Sequence, residues 1–165
     1  MQSEEFAIVA GADDLPAAVR HAIAAHHAQY LVDPVAAHLW DPAVIGVPGG
    51  PVPCLLLQHR GRKSGHALHS ILQYYRHGDA VAIVASKGGL PRHPVWYLNL
   101  LAEPACEVQI AAFRCAARAR TLAGAERAAW WARIVAEQPV QRDYQARTAR
   151  EIPVVLLELA EVPPR

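Results

Sequence analysis

Apolar residues recur at helical spacing near the N-terminal end of the chain and in short, strand-like runs through the rest of it. Val19, Ile23 and Tyr30 share one face of a helix that we predict to run to about Leu31. Residues 1–12 are expected to form a loosely docked, flexible tail.

Aspartate and proline set the limits of this helical segment. Asp13 or Asp14 is placed to cap the first helix, and Pro16 falls in its first turn, where proline is favoured. The Asp33–Pro34 pair predicts a stop and a restart, with a short helix ending at about Trp40.

The remaining apolar runs alternate with turn residues and predict β-strands joined mainly by hairpins. The predicted strands are 53–59, 67–76, 80–85, 105–110, 113–121 and 153–159, with helices over 94–102 and 126–137. This order indicates an α+β, mainly β, protein: a small barrel with flanking helices. A doubly wound sheet is excluded, because neither the βαβ alternation nor a Gly-x-Gly-x-x-Gly motif is present. We expect 13–165 to form a single domain with a helical N-terminal segment, 13–41.

Composition narrows the classes of partner. The 165 residues are 53% hydrophobic and 19% charged, and the net charge is +1, so nothing favours nucleic acid as the main partner. No apolar run approaches the roughly 20 residues of a membrane span, so stable membrane insertion is not expected. The N-terminus also lacks the basic region of a signal peptide.

Cysteine and histidine spacing argues against disulfides and metals. In the predicted hairpin Cys115 lies opposite Val108, which leaves Cys106 on the diagonal at about 7–8 Å, too far for an unstrained disulfide. Reduced thiols and a cytoplasmic location follow as the expectation. The nine histidines do not fall at ligand spacing with cysteines or carboxylates, so no metal site is predicted.

Two loops combine small, flexible residues with cations and hydroxyls. One is the turn 61–65, Gly-Arg-Lys-Ser-Gly, and the other begins at Ser86 with Ser-Lys-Gly-Gly. Glycine lets backbone approach a ligand closely, and lysine and arginine bind phosphate or carboxylate. The pair predicts one elongated polyanionic ligand held from two sides, although the turn taken alone is equally consistent with a solvated hairpin.

Three further side chains are candidates for contact with the ligand. His93 precedes Pro94 and is placed either to cap the helix that follows or to face the ligand. Trp96 is expected in the core or the pocket wall. Tyr144 is open to two interpretations, as a helix-packing residue or as a phenol that closes the pocket and donates a hydrogen bond or a proton.

Several motifs, in one order, resemble the deazaflavin-dependent nitroreductase family over about Tyr30 to Leu159. They are Leu-Leu-Leu before Gly-Arg-Lys-Ser-Gly, Val-Ala-Ser-Lys-Gly-Gly, His-Pro-x-Trp-Tyr-x-Asn-Leu, a Glu-Arg helix, Asp-Tyr-Gln and Arg-x-Ile-Pro-Val. The resemblance implies a split β-barrel of the FMN-binding type that binds coenzyme F420. It also implies hydride transfer from the reduced deazaflavin to a small-molecule acceptor: a quinone, an activated enone or a nitro compound.

The resemblance also implies residue roles. The phosphate and polyglutamate side of F420 falls to the two cationic loops. Hydride transfer would leave negative charge on the acceptor, and Ser86 and Tyr144 are the expected catalytic hydroxyls that donate a hydrogen bond to it. The predicted cofactor-binding residues are Arg62, Lys63, Ser64, Ala85, Ser86, Lys87, Gly88, His93 and Trp96.

One departure from the family pattern bears on the acceptor. Gln138 and Gln141 stand where nitroimidazole-reducing members carry pocket tyrosines, which argues against bulky nitroaromatics and favours a quinone or enone. Two alternatives stay open: an FMN-dependent split-barrel oxidoreductase, and a non-catalytic carrier of a polyanionic or tetrapyrrole-like ligand. A homodimer is possible.

Overall fold

The computed structural model describes residues 14–165. The predicted tail, 1–12, and Asp13 lie outside the described residues. The helices are α1 (Ala17–Val32), α2 (Pro34–Ala37), α3 (Val95–Ala102), α4 (Gly124–Glu137) and α5 (Val140–Ala146), with 3₁₀ turns at Pro42–Ile45 and Lys87–Gly89. The strands are β1 (Leu39–Trp40), β2 (Val52–Arg60), β3 (Ala67–His77), β4 (Ala80–Val84), β5 (Ala105–Ile110), β6 (Phe113–Thr121) and β7 (Val154–Leu159).

The strands close into a barrel, which confirms the fold class expected from the sequence. Their order is β1-β2-β3-β4-β7-β6-β5, and an additional pairing of β2 with β5 closes a ring of six strands. Every pairing is antiparallel. The short β1 extends the sheet beside the start of β2.

Alternation along β2 determines which helix packs where. Leu55 and Leu57 point into the barrel and pack with Val108 and Leu157. Leu56, between them, points outward and packs against Tyr30 of α1. Since successive side chains of a strand face opposite sides, one apolar run fills the barrel and also binds an outer helix.

Tyr30 fastens α1 to two strands at once. Its hydroxyl lies 3.1 Å from the carbonyl oxygens of Cys54 and Gln109 and accepts a hydrogen bond from the Ala111 amide at 2.9 Å. Burial raises the pKa of Tyr30 to about 12, so the phenol remains a donor. A buried hydroxyl with partners on both strands fixes the helix over the β2–β5 junction.

Two other helices complete the packing. Trp96, Tyr97 and Leu100 of α3 belong to the barrel core. On the outer face, Trp130 and Ile134 of α4 form a second cluster with residues of β3, β4 and β7.

The strands predicted from the sequence match the observed ones to within one or two residues, but the predicted helix caps are wrong. Pro16 occupies the N-cap of α1 with no side-chain capping bond, and Asp14 pairs with Lys87 instead. Pro94, not His93, occupies the N-cap of α3. The short helix predicted to reach Trp40 ends at Ala37, because Trp40 pairs with Val52 as strand.

The predicted hairpin register is confirmed at Val108, which pairs with Cys115, while Cys106 pairs with Ala117. Cys54, Cys106 and Cys115 are free thiols. Within residues 14–165 no helix has both the length and the apolar character to cross a membrane.

Candidate functional site

A cavity of about 550 Å³ lies between the β2–β3 hairpin, α1, the loop after β4, and α5. Much of its wall is aliphatic and aromatic, including Ile23, Trp40, Ile71 and Trp96. The polar groups on the wall are few and come from separate elements. Mostly apolar walls with a few placed polar groups are typical of sites for small molecules and cofactors.

The loop after β4 enters this wall through backbone conformations that favour glycine. Lys87, Gly88 and Gly89 have φ values of 46°, 64° and 79°. A Cβ on Gly89 would lie 2.5 Å from the carbonyl oxygen of Tyr144, so α5 packs directly on the loop backbone. Gly88 has open space where a Cβ would be. The two glycines therefore differ: Gly89 permits the close approach of α5, whereas Gly88 has no such neighbour in the protein and adopts a left-handed turn conformation.

Tyr144 of α5 lines the cavity, and its backbone also contacts the loop at Gly89. The Arg147 guanidinium lies 5.5 Å from the centre of its ring. Burial raises the pKa of Tyr144, with Arg147 opposing and Asp143 reinforcing that shift. The phenol is therefore protonated at neutral pH and able to donate a hydrogen bond. Ser86, a second neutral hydroxyl, lies on the same cavity wall.

Lys87 also lines the cavity, and it is engaged with the N-terminal segment. Its Nζ lies 2.9 Å from Asp14 Oδ1, and its side chain is only 9% exposed. The hydrogen bond from Lys87 lowers the pKa of Asp14. The start of α1 is thus tied electrostatically to the cavity loop.

Gln138 and Gln141 are both buried on the cavity wall. The Nε2 of Gln141 donates to the Tyr75 hydroxyl at 3.2 Å, whereas its Oε1 has no hydrogen-bond partner within residues 14–165. Burial raises the pKa of Tyr75. At the two positions where nitroimidazole-reducing members are expected to carry tyrosines, the wall therefore carries amides, and the Tyr75 hydroxyl accepts a hydrogen bond from one of them.

The cationic turn adjoins one end of the cavity. His59 and Leu68 pair near the tip of the β2–β3 hairpin and both line the cavity. The turn 61–65 follows immediately, with Arg62, Lys63 and Ser64 exposed. Cations at this position suit the anionic end of a ligand that extends out of the cavity.

A buried chain of hydrogen bonds links this turn to the cavity wall. Asn99 Oδ1 accepts from both the amide and the Nη1 of Arg62, each at 3.1 Å. Asn99 Nδ2 donates to His59 Nδ1 at 3.2 Å, so the proton of the neutral imidazole sits on Nε2, which donates to Ser70 Oγ at 3.1 Å. Ser70 lines the cavity. Burial, with His69 nearby, lowers the pKa of His59 to about 4, so this tautomer persists at neutral pH.

The structure brings some of the predicted site residues together and separates others. Ser86, Lys87, Gly88, Trp96 and Tyr144 line the cavity. The remaining predicted residues, Arg62, Lys63, Ser64, Ala85 and His93, are not among its lining residues. Ala85 is fully buried, and His93 Nδ1 accepts a hydrogen bond from Arg150.

Sequence reasoning missed Asn99, His59 and Arg150. A lone amide in the apolar helix Val-Trp-Tyr-Leu-Asn-Leu-Leu-Ala was the available signal for Asn99. Arg150 stood in the Arg-x-Ile-Pro-Val motif without an assigned role. In the described part of the chain, no group of three or more His, Cys, Asp or Glu side chains is arranged to hold a metal ion.

Comparison with known proteins agrees with the fold. The family model described as F420H(2)-dependent quinone reductase matches residues 41–159. The F420H(2)-dependent quinone reductase Rv1261c of Mycobacterium tuberculosis (strain H37Rv) is 44% identical over 115 residues, which is 67% of this chain and 76% of the relative.

Solved structures of similar proteins share the fold of this chain. A structure named F420-H2 Dependent Reductase (FDR-A) has a TM-score of 0.60 at 39% identity, covering 64% of this chain and 94% of its own. A chain described as a domain-swapped dimer has a TM-score of 0.62 at 32% identity, covering 81% and 96%. A heme binding protein from Mycobacterium smegmatis, at 18% identity and a TM-score of 0.52, shares the fold alone.

The fold and the matches define the class of protein as a split-barrel oxidoreductase. Within that class, the chain belongs to the F420H(2)-dependent quinone reductase family. The FMN-dependent alternative finds no support in the family or in the names of these relatives.

Proposed function

We propose that this protein binds reduced F420 and uses it to reduce a quinone, with Ser86 and Tyr144 as the catalytic hydroxyls. The observation that carries the proposal is that Ser86 and Tyr144 both line one cavity, with the cationic turn next to it. Family membership supports the choice of cofactor and acceptor.

The residues of the cavity fit an elongated, anionic cofactor with a planar ring. The apolar wall that includes Trp96 suits the ring, and Arg62, Lys63 and Ser64 would hold the phosphate and carboxylate tail outside. Lys87 and the Gly88 backbone would contact the part between them. When bound, the reduced deazaflavin would supply the hydride.

The protein's own contribution is to stabilise charge on the acceptor. A quinone that receives a hydride carries negative charge on one oxygen and needs one proton to become the hydroquinone. A hydroxyl already placed at that oxygen typically lowers the barrier by about 2.7–4 kcal/mol. Because burial raises the pKa of Tyr144, its hydroxyl holds a proton at neutral pH and donates a hydrogen bond to the developing oxyanion.

The cavity wall favours a quinone over a nitroaromatic acceptor. Gln138 and Gln141 remove the aromatic rings that would stack on a bulky nitroaromatic and replace them with amides. An activated enone has the same oxyanion chemistry as a quinone and is the second acceptor class.

Two properties of the whole protein belong to the proposal. We infer a homodimer, because a related chain is described as a domain-swapped dimer. We also infer a cytoplasmic location, since the three cysteines are free thiols. Light scattering after size exclusion would measure the mass of the assembly, and a monomer at micromolar concentration would contradict the first inference.

Titration of the purified protein with F420 and with FMN, followed by fluorescence, tests the cofactor. F420 should bind and FMN should not. Menadione added to the protein with reduced F420 should then restore the absorbance of oxidised F420. Binding of FMN in preference to F420 would overturn the cofactor assignment, and F420 binding without oxidation by menadione would favour the non-catalytic carrier.

A further inference from the structure

Arg150 makes a set of contacts that the proposed chemistry does not use. Its Nε donates to the Leu90 carbonyl at 2.9 Å and its Nη2 to the Ser86 carbonyl at 2.7 Å. Its Nη1 lies 3.1 Å from both the Ala85 carbonyl oxygen and His93 Nδ1. All four acceptors belong to the segment between the end of β4 and the start of α3.

These bonds fix the direction of the loop backbone. The peptide bonds are trans, so a carbonyl that points to Arg150 turns the following N–H the other way. The carbonyls of Ala85 and Ser86 therefore direct the amides of Ser86 and Lys87 away from the guanidinium. One arginine sets both peptide planes that flank the Ser86 side chain.

The backbone of Arg150 is held in turn by the helix that carries Tyr144. Gln145 Nε2 donates to the Arg150 carbonyl at 2.8 Å, and Gln145 Oε1 accepts from the Ile152 amide at 2.9 Å. A continuous path of hydrogen bonds thus runs from α5 through Gln145 and Arg150 to Ser86. The close approach of Gly89 to the Tyr144 backbone is a second link between α5 and the loop.

A second feature of Arg150 is its charge. Within residues 14–165 its guanidinium forms no ion pair with a carboxylate, although it is only partly exposed. A guanidinium in this position adds positive potential beneath a loop proposed to meet an anionic ligand.

We propose that Arg150 is a positioning residue, which holds Ser86 and its loop in a fixed position relative to Tyr144. In this way it governs cofactor affinity and turnover although it does not line the cavity. The proposal rests on the proposed function for its catalytic consequence, but not for the structural one. A guanidinium satisfies four acceptors that a lysine ammonium, with three donors on a flexible stem, cannot reach together.

The first test needs no cofactor. Amide hydrogen exchange in the free protein should be faster over residues 85–93 in Arg150→Ala than in the wild type, and Arg150→Lys should restore protection only in part. Arg76→Ala is the matched control, because Arg76 likewise donates to backbone carbonyls, those of Gly78, Pro163 and Pro164, and does not line the cavity. Unchanged exchange over 85–93 in a folded Arg150→Ala protein would overturn the proposal.

The second test asks whether Arg150 acts through Ser86. F420 affinity should fall on the order of tenfold in Arg150→Ala and recover with millimolar guanidinium, which should not alter Arg76→Ala. With saturating cofactor, Ser86→Ala should lower turnover much less in the Arg150→Ala background than in the wild type, because the Ser86 hydroxyl is already misplaced once Arg150 no longer holds the Ser86 carbonyl. Additive losses of turnover in the double variant would overturn a positioning role. A wild type that does not bind F420 would count against the proposed function, but the hydrogen-exchange result would still test the structural role of Arg150.

Discussion

At the scale of single residues, the proposed site uses hydroxyls that keep their protons. Tyr144 and Ser86 are neutral at neutral pH, and both face one cavity. In contrast, Lys87 is already paired with Asp14, so an anionic ligand that contacts Lys87 competes with a carboxylate of the same chain. The hydroxyls are therefore better placed than the lysine to act on the acceptor.

Tyr144→Phe removes the phenolic donor and keeps the ring against Arg147. Turnover with menadione should fall about a hundredfold or more, with the dissociation constant for F420 nearly unchanged, because the lost bond forms to the acceptor and strengthens as negative charge develops. Stopped-flow oxidation of bound, reduced F420 gives the rate, and fluorescence titration gives the affinity.

Tyr97→Phe is the matched control, since it removes a hydroxyl bonded to Thr121 Oγ1 at 3.0 Å and Tyr97 is not a cavity-lining residue. It should leave turnover unaltered. If Tyr144→Phe also turned over at the wild-type rate, Tyr144 would have no part in the reaction, and positioning would be the protein's whole contribution.

At the scale of elements, the turn 61–65 and the loop after β4 are held by different devices. The turn is joined to α3 through Asn99, and the loop is held by Arg150 and by its backbone contact with α5. Each cationic segment is therefore held by a polar side chain that is distant along the chain, the buried Asn99 for the turn and the partly exposed Arg150 for the loop.

Lys63→Ala and Arg62→Ala should each weaken F420 binding by about ten- to a hundredfold, since each removes a charge-assisted bond worth about 1.5–3 kcal/mol. The loss should shrink as ionic strength rises. Arg142→Ala, an exposed arginine on α5 that is not a lining residue, controls for net charge. Affinity within a factor of two of the wild type for both turn variants would make the turn an ordinary solvated hairpin.

Gly88→Ala and Gly89→Ala should separate binding from folding. Gly89→Ala places a methyl against the Tyr144 backbone, so both melting temperature and turnover should fall. Gly88→Ala meets open space and costs only the left-handed backbone conformation, about 1–2 kcal/mol, so its main effect should be on cofactor affinity.

Gly78→Ala calibrates that backbone cost, because Gly78 has a φ of 59° and open space at a hairpin turn between β3 and β4. Its melting temperature should drop as much as that of Gly88→Ala, with F420 affinity intact. Equal affinities for Gly78→Ala and Gly88→Ala would show that Gly88 serves the turn and not the ligand.

At the scale of the whole molecule, buried histidines make the fold sensitive to acid. Burial lowers the pKa of His27 and of His59 to about 4, from 6.5 in the unfolded chain. Between these values the unfolded chain binds more protons than the folded one, so the free energy of unfolding falls as pH drops from about 6.5 to about 4. Each pKa unit between the two states is worth about 1.4 kcal/mol per group.

His27→Leu should therefore flatten the stability profile over that window, measured by urea unfolding at pH 7 and pH 4.5. At neutral pH the variant should be as stable as the wild type or more so, since His27 Nε2 is buried without a partner in the described residues. The exposed His21→Leu, on the same helix, is the control. If the free energy of unfolding of His27→Leu fell between pH 7 and pH 4.5 as much as that of the wild type, His27 would not be a source of the acid sensitivity.

The sequence alone determined the local structure of this protein, because hairpin strands follow from contacts between near neighbours in the chain. The apolar run that includes Leu55–Leu57 and the turn at Ala111 are readable without tertiary information, and they give the strands and the pairing of Val108 with Cys115. The order of the family motifs likewise pointed to F420 and to Ser86 and Tyr144.

Only the tertiary structure decided how these pieces meet. Closure of β2 on β5, the packing of α5 on Gly89 and the reach of Arg150 to Ser86 join segments that are distant along the chain. Their partners are backbone carbonyls and backbone surfaces, which every residue possesses, so no residue type marks them in the sequence. For this reason the catalytic hydroxyls could be proposed from the sequence, whereas the arginine that aligns them could not.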